Sequence, residues 1–167
     1  MRSSFGETPM QYAAEEGGAG QKRRIEVVNA IRRVGVPLDL ISALLLDWRN
    51  DARKILREHP DQAKSEIAHW KTPLQIAAQN GDIETAKMLL KAGAVLDFGY
   101  QPQMNFGKET FTPLCAAVRA QKADMVEFLC EQGANPNLTG HQLRLALRSS
   151  TPQIKAALTK YSVLRYP

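Results

Sequence analysis

Cysteine is scarce in this chain of 167 residues. Cys115 and Cys130 are too few for a disulfide framework, and reduced, buried thiols are the expected state. Histidine is nearly as sparse. His59, His69 and His141, taken with the cysteines, show no C-x-x-C or H-x-x-x-H spacing, so no metal site is expected. Long apolar runs are missing as well. Nothing approaches the roughly 18 apolar residues of a membrane span, and the opening MRSSFGETPM lacks the apolar core of a secretion signal. Cytoplasmic residence without a membrane span is therefore expected. No stretch reads convincingly as a strand, so no glycine-rich phosphate loop can follow one, and no cofactor is expected. Acid is absent from one end. None of the 17 acidic residues lies beyond Leu138, whereas Arg144, Arg148, Lys155, Lys160 and Arg165 do. The net charge of +5 thus belongs to the C-terminal end, either as a solvated cap or as a docking surface for something acidic.

What the chain does contain is a repeated helical signal in an ordinary soluble composition, 44% apolar and 23% charged. Residues 72–97, TPLQIAAQNGDIETAKMLLKAGAVLD, open with Thr72-Pro73. A hydroxyl caps the helix and proline sits in the first turn, where a missing N–H costs nothing. Leu74, Ile76, Ala77 and Ala78 form a short, mostly small apolar segment that lets a neighbouring helix approach closely. Asn80-Gly81 breaks the helix, and Ala86, Leu89, Leu90 and Gly93 mark a second one with a glycine stop. Two such short helices cannot bury their own apolar face, so they need copies on either side. Residues 112–137 supply one at a shift of 40, repeating Thr112-Pro113-Leu114, Ala117, Leu129 and Gly133-Ala134. The start of the chain supplies another, TPMQYAAEEG from Thr8 and IEVVNAIRRVG from Ile25 to Gly35.

These units resemble ankyrin repeats, whose signature is a T-P-L-H-x-A helix start in a unit of about 33 residues. Gln11, Gln75 and Cys115 stand where that family usually has histidine. In the family this histidine braces neighbouring loops, so somewhat looser loops are expected here. The resemblance implies an all-α ankyrin-repeat solenoid of about five helix-turn-helix units in a single domain over 1–167, with units at about 8–36, 38–60, 72–97, 112–137 and 141–161. The second unit is disguised. Ala43, Ala52, Ile55 and Leu56 match Ala77, Ala86, Leu89 and Leu90 at a shift of 34, with helices expected at 40–46 and 50–58. Asp39 is its substitute cap and His59-Pro60 its stop. In the fifth, Leu143, Ala146 and Leu147 repeat Leu114, Ala117 and Val118, and Ile154, Ala157, Leu158 and Tyr161 form one helical face. Shortened connections at 36–37 and 134–140 predict an irregular curve. The degenerate second unit resembles those common in bacterial ankyrin proteins, which implies a bacterial or host-directed interaction protein.

Cys115, His141 and Asp124 are the right residue types for a thiol nucleophile, its base and an orienting acid. Cys115, however, occupies an ordinary helix-packing position, and His141 stands about one repeat away. No catalytic residue is assigned. The resemblance implies instead a non-catalytic protein-interaction module, monomeric alone, whose partner is another protein rather than a nucleic acid. Two alternatives stay open. One is an inhibitor or immunity-type protein that blocks another protein's active site. The other is nucleic-acid or anionic-surface binding through the basic C-terminal unit.

In the family the recognition surface is the concave side, made of hairpin tips and the ends of the first helices. Carried across, it gives a row of Glu15-Glu16, Leu45-Leu46, Gln79-Asn80, Arg119-Ala120 and Arg148-Ser149, grading from acidic through apolar to basic. Such a gradient can orient an elongated partner. Leu45-Leu46 face the groove in one register and join the core in the next. The insert at 98–111 crowds Phe98, Tyr100, Met104, Phe106 and Phe111 into 14 residues beside Gly99, Pro102 and Gly107. Aromatic anchors of this kind make interface hot spots; alternatively, several rings fold back to seal the gap between units three and four. The expected partner contacts are Trp70, Lys71, Gln75, Gln79, Tyr100, Phe106, Phe111, Arg119 and Arg148.

Overall fold

Threonine and aspartate caps set where the helices begin. The computed structural model describes residues 8–14, 21–65, 71–98, 111–136, 148 and 150–161. Among these the helices are α1 (Pro9–Ala14), α2 (Gln21–Arg33), α3 (Leu40–Leu45), α4 (Arg49–Glu58), α5 (Pro73–Asn80), α6 (Ile83–Lys91), α7 (Pro113–Arg119), α8 (Ala123–Glu131) and α9 (Pro152–Tyr161). No strand occurs among the described residues. At α5 the Thr72 hydroxyl accepts from the Gln75 N–H at 3.2 Å, while Gln75 Oε1 accepts from the Thr72 N–H at 2.7 Å. This reciprocal box satisfies two of the donors a helix start leaves over. Thr8 and Gln11 build the same box on α1. Asp39 caps α3, accepting from the Ser42 N–H at 2.9 Å and the Ser42 hydroxyl at 2.8 Å. The turns inside the second, third and fourth pairs each use a left-handed residue. Gly81 provides it at φ 73°, and Asp47 and Gln121 adopt it in the neighbouring pairs at 55° and 56°.

The first helices form a row, α1 on α3, α3 on α5 and α5 on α7, while α4 packs on α6 and α9 on α8. Ala77, Ala78, Ala116 and Ala117 are all buried, and their small size lets α5 and α7 approach closely. Leu40, Leu74, Leu89, Leu114, Leu129 and Leu158 run through one continuous core from the second helix pair to the last helix. A smaller cluster of Met10, Ala14, Val28 and Leu46 joins the first pair to the second. The result is an all-α stack of helix pairs. Most of the first helix expected for unit five, 141–147, lies outside the described residues.

One local alternative is decided, one element is added after a helix stop that stands as expected, and one expectation changes. Leu46 is buried in the smaller cluster and Leu45 packs half-buried against both cores, so this pair belongs to the interior and not to a groove. Helix α4 ends at Glu58, but the chain does not then run free: Pro60–Lys64 forms a 3-10 turn with Ala63 buried. Gln62 in that turn accepts from the Leu40 N–H at 3.0 Å, so the turn packs back on the start of its own unit. Finally, the loops around Gln11 and Gln75 are braced despite the missing histidines. Gln75 Nε2 donates to the carbonyls of Phe98 and Phe111, and Gln11 Nε2 donates to Asp39 at 3.4 Å. An amide carries both an acceptor and donors, so it can cap its own helix and bridge outward at once.

Contacts between neighbouring pairs are polar as well as apolar. Asn80 Nδ2 donates to the Leu44 carbonyl at 2.7 Å, tying the end of α5 to the end of α3. Asp97 accepts from the Asn135 N–H at 3.0 Å, joining the turns that follow α6 and α8. Arg53 on α4 reaches Asp82, the cap of α6, at 2.6 Å and also donates to the Thr85 hydroxyl at 3.2 Å. Burial, the largest single effect on Asp82, works against its ionisation. Hydrogen bonds from Thr85 and Arg53 together outweigh that penalty and hold the carboxyl below its usual range.

Candidate functional site

Of the residues proposed from sequence, Gln75, Phe111 and Arg119 meet at the base of the long insert. Gln75 sits at the start of α5, only 1% exposed. Its single amide group holds Phe98 and Phe111, the residues on either side of 99–110, so it clamps the neck of the insert. This corrects its expected role. A side chain buried and bonded at every polar atom is not available to touch a partner. Phe111 is half-buried against the core. The guanidinium of Arg119, at the exposed end of α7, lies 5.3 Å from the centre of the Phe111 ring. A cation over an aromatic face is favourable and leaves the outer edge of the guanidinium available. Gln79, one turn beyond Gln75, is exposed, and Lys71 is half-buried before the Thr72 cap. Gln75, Phe111 and Arg119 are thus brought together, with Gln79 nearby on the same helix as the clamp. Trp70, Tyr100, Met104 and Phe106 lie outside the described residues, as do Glu15, Glu16 and Ser149.

At the C-terminal end the cations are unequal. Arg148 and Lys155 are exposed. Lys160 instead reaches back to Glu127 on α8 at 3.0 Å and sits 4.6 Å from the Tyr161 ring centre, while the Tyr161 hydroxyl bonds Glu131 at 3.1 Å. Tyr161 and then Glu127 raise the Lys160 pKa above its ordinary value. One of the five C-terminal cations therefore serves the packing of α9 on α8. Arg144 and Arg165 lie outside the described residues.

Both cysteines are buried thiols. Burial, followed by the nearby Glu127 carboxylate, pushes the Cys130 thiol up to about 11. A thiolate nucleophile needs the opposite shift. Asp124 is exposed in the first turn of α8, and His141 lies outside the described residues. Among the described residues no cluster of His, Cys, Asp or Glu could hold a metal ion. At pH 8 the Cys130 thiol should react with a disulfide reagent on the order of a hundredfold more slowly in the folded protein than in denaturant. Equal rates in the two states would show that Cys130 is not shielded.

A family model of ankyrin repeats, in three copies, matches residues 29–140. The chain belongs to the ankyrin repeat family. Ankyrin repeats are generally protein–protein interaction modules. Among curated proteins the chain is 31% identical over 164 residues to BRCA1-associated RING domain protein 1 of Caenorhabditis elegans, covering 95% of this chain and 20% of that one. It is 30% identical over 103 residues to Ankyrin repeat and SOCS box protein 11 of Mus musculus, covering 62% of this chain and 29% of that one. The chain thus spans less than a third of the length of either relative. Among solved structures, the ankyrin repeat domain of human ASB11 aligns at 20% identity with a TM-score of 0.37, covering 95% of this chain and 86% of that one. No helix among the described residues is long and apolar enough to cross a membrane.

Two features of this ankyrin repeat chain escaped the sequence. The Arg53–Asp82 pair was hidden because neither residue stands in a motif. The clamp by Gln75 was hidden because its partners lie 23 and 36 residues away. A signal for the second did exist: glutamine at the histidine position keeps an acceptor and has two N–H donors where neutral histidine has one.

Proposed function

We propose that the chain is a protein-interaction module without catalysis of its own, binding a partner over units three and four. Phe98 and Phe111, the two ends of the 98–111 insert, are held there, with exposed Arg119 against Phe111 and exposed Gln79 on the clamping helix. The observation that carries this reading is the clamp, since one buried amide bonds both ends of the insert. An insert rich in aromatic residues and anchored at its neck to a packed helix starts from a fixed base, which lowers the ordering cost of binding. Arg119 and, farther along, Arg148 supply positive charge at the rim, where it steers an acidic partner. The proposed partner contacts are then Tyr100 and Phe106 in the insert, together with Trp70, Lys71, Gln79, Arg119 and Arg148. Phe111 acts from below as the seat of Arg119.

The test is affinity capture from the native source, identified by mass spectrometry and repeated with Tyr100→Ala/Phe106→Ala and with Arg119→Glu. The captured protein should be lost with both variants while Tm stays within about 2 °C of the parent, as expected of side chains that serve a partner and not the core. A large fall in Tm with capture intact would assign the rings to the core instead.

A further inference from the structure

Aligned on their starts and stops, the helix pairs can be compared position by position. Thr8-Pro9, Thr72-Pro73 and Thr112-Pro113 align the first helices. Gly35, Gly93 and Gly133, at φ 90°, 91° and 92°, align the ends of the second. Three positions then differ in exposure. Ile76 and Ala116 are buried, but Tyr12 at the same place is 71% exposed. Thr85 and Met125 are buried, but Val27 is 42% exposed. Phe128 is buried and Met88 half-buried, but Ala30 is exposed. In the third unit this side is covered by the unit before it: α5 lies on α3, α6 on α4, and Arg53 donates to Thr85. Among the described residues none packs over the same side of the first unit, and exposed Val34 extends it.

An open side need not be apolar. The second unit carries Asp51 and Lys54 where the first has Val27 and Ala30. There solvent does reach the seam, through an open groove of about 620 Å³ between α2 and α4 lined by Asn29, Arg32, Trp48 and Asp51. Polar residues at that seam suit its exposure. Tyr12, Val27, Ala30 and Val34 do not suit theirs, and they repeat the composition of a covered repeat interface.

Charge selects among occupants. At about 100° per residue, Arg23, Val27, Ala30 and Val34 share one stripe of α2, flanked by Lys22, Glu26 and Arg33. Three cations against one acid favour an acidic partner. A second copy of this chain is disfavoured, because turning two such faces together about a two-fold axis opposes Lys22 and Arg23 to Arg33. Among the described residues at the opposite end of the stack, α9 exposes Pro152, Gln153, Lys155, Ala156, Thr159 and Lys160, none of them an acid that would complement these cations. We propose that the outer face of the first unit, built on Tyr12, Val27, Ala30 and Val34, docks an acidic amphipathic helix of another protein. This surface is separate from the insert and stands or falls without it.

The probe is a labelled 18-residue helical peptide with leucine at i, i+3, i+4 and i+7 and glutamate on its flanks. A second peptide carries lysine in place of every glutamate. Fluorescence anisotropy should show micromolar binding of the acidic peptide only, weakened at least about tenfold by Val27→Asp/Val34→Asp. Arg23→Glu/Arg33→Glu, at exposed positions that leave the fold intact, should reverse the preference toward the lysine peptide. Failure of the acidic peptide to bind, or binding unchanged in both variants, overturns the proposal. So does a concentration-dependent dimer in sedimentation that Val34→Asp abolishes, which would make a second copy the occupant.

Discussion

Replacing Arg53 with alanine should lower stability at pH 7 by about 2–4 kcal/mol, or roughly 5–12 °C in Tm for a chain of this size. The Asp82 side chain is 3% exposed and its 2.6 Å partner Arg53 is 28% exposed, so the pair is buried on one side and open on the other. Removing the guanidinium leaves a buried carboxylate held only by the Thr85 hydroxyl and N–H. That residual support is why the figure sits below the full cost of an orphaned buried charge. The pair also joins α4 to α6, so the loss falls on the interface between the second and third units. In a stack whose stability is a sum over neighbouring interfaces, that is where cooperativity breaks first. The pH dependence has a definite sign. The folded state holds the Asp82 carboxyl below its ordinary value, so its contribution is complete above the unfolded pKa of about 3.9 and is lost as pH falls through the folded one. The wild type should therefore lose stability on acidification while Arg53→Ala, already lacking the partner, loses less. Denaturant titrations at pH 7 and pH 3 check this. A gap between the two proteins that stays constant across that range would mean Arg53 serves something other than the carboxylate.

Most of the fold was legible because its signals are local. Thr72-Pro73 and Thr112-Pro113 announce helix starts within two residues, and the capping bonds found at both confirm the reading. Asp39 lacks that signature; the shift of 34 residues that aligns Ala43 with Ala77 brings it within one residue of the Thr72 position, and its bonds to Ser42 show the substitution works. The 3-10 turn at Pro60–Lys64 was missed because proline ends an α-helix by the same property that lets it begin a tighter one. Leu45-Leu46 stayed ambiguous because a shift of one residue rotates a helix by about 100°, and sequence alone does not fix the shift. The site was legible in location and less so in role. Phe111 and Arg119 do meet, but which of several polar side chains near an insert faces inward depends on contacts far apart in the chain. Gln75 was the case where that mattered.

Gln75→Leu should cost about 3–5 kcal/mol, and Gln75→His only about 1–2 kcal/mol. Leucine fills a similar volume but offers no polar atom. The Phe98 and Phe111 carbonyls and the Thr72 N–H would each lose a partner at a buried site, where an unsatisfied group costs about 1–3 kcal/mol. A neutral imidazole has one acceptor and one donor, so histidine can still cap Thr72 and hold one of the two carbonyls. Comparing the two variants therefore separates lost packing from lost hydrogen bonds. The functional consequence differs from the energetic one. With one carbonyl released, the neck of the insert is held on one side, so Gln75→His should keep most of its stability yet bind the captured partner more weakly by a few-fold, an ordering cost returned to the binding step. Urea denaturation read beside partner affinity measures both at once. Leucine as stable as glutamine would show that the amide bonds contribute nothing net. Full affinity in both variants would show that the clamp positions nothing the partner reads.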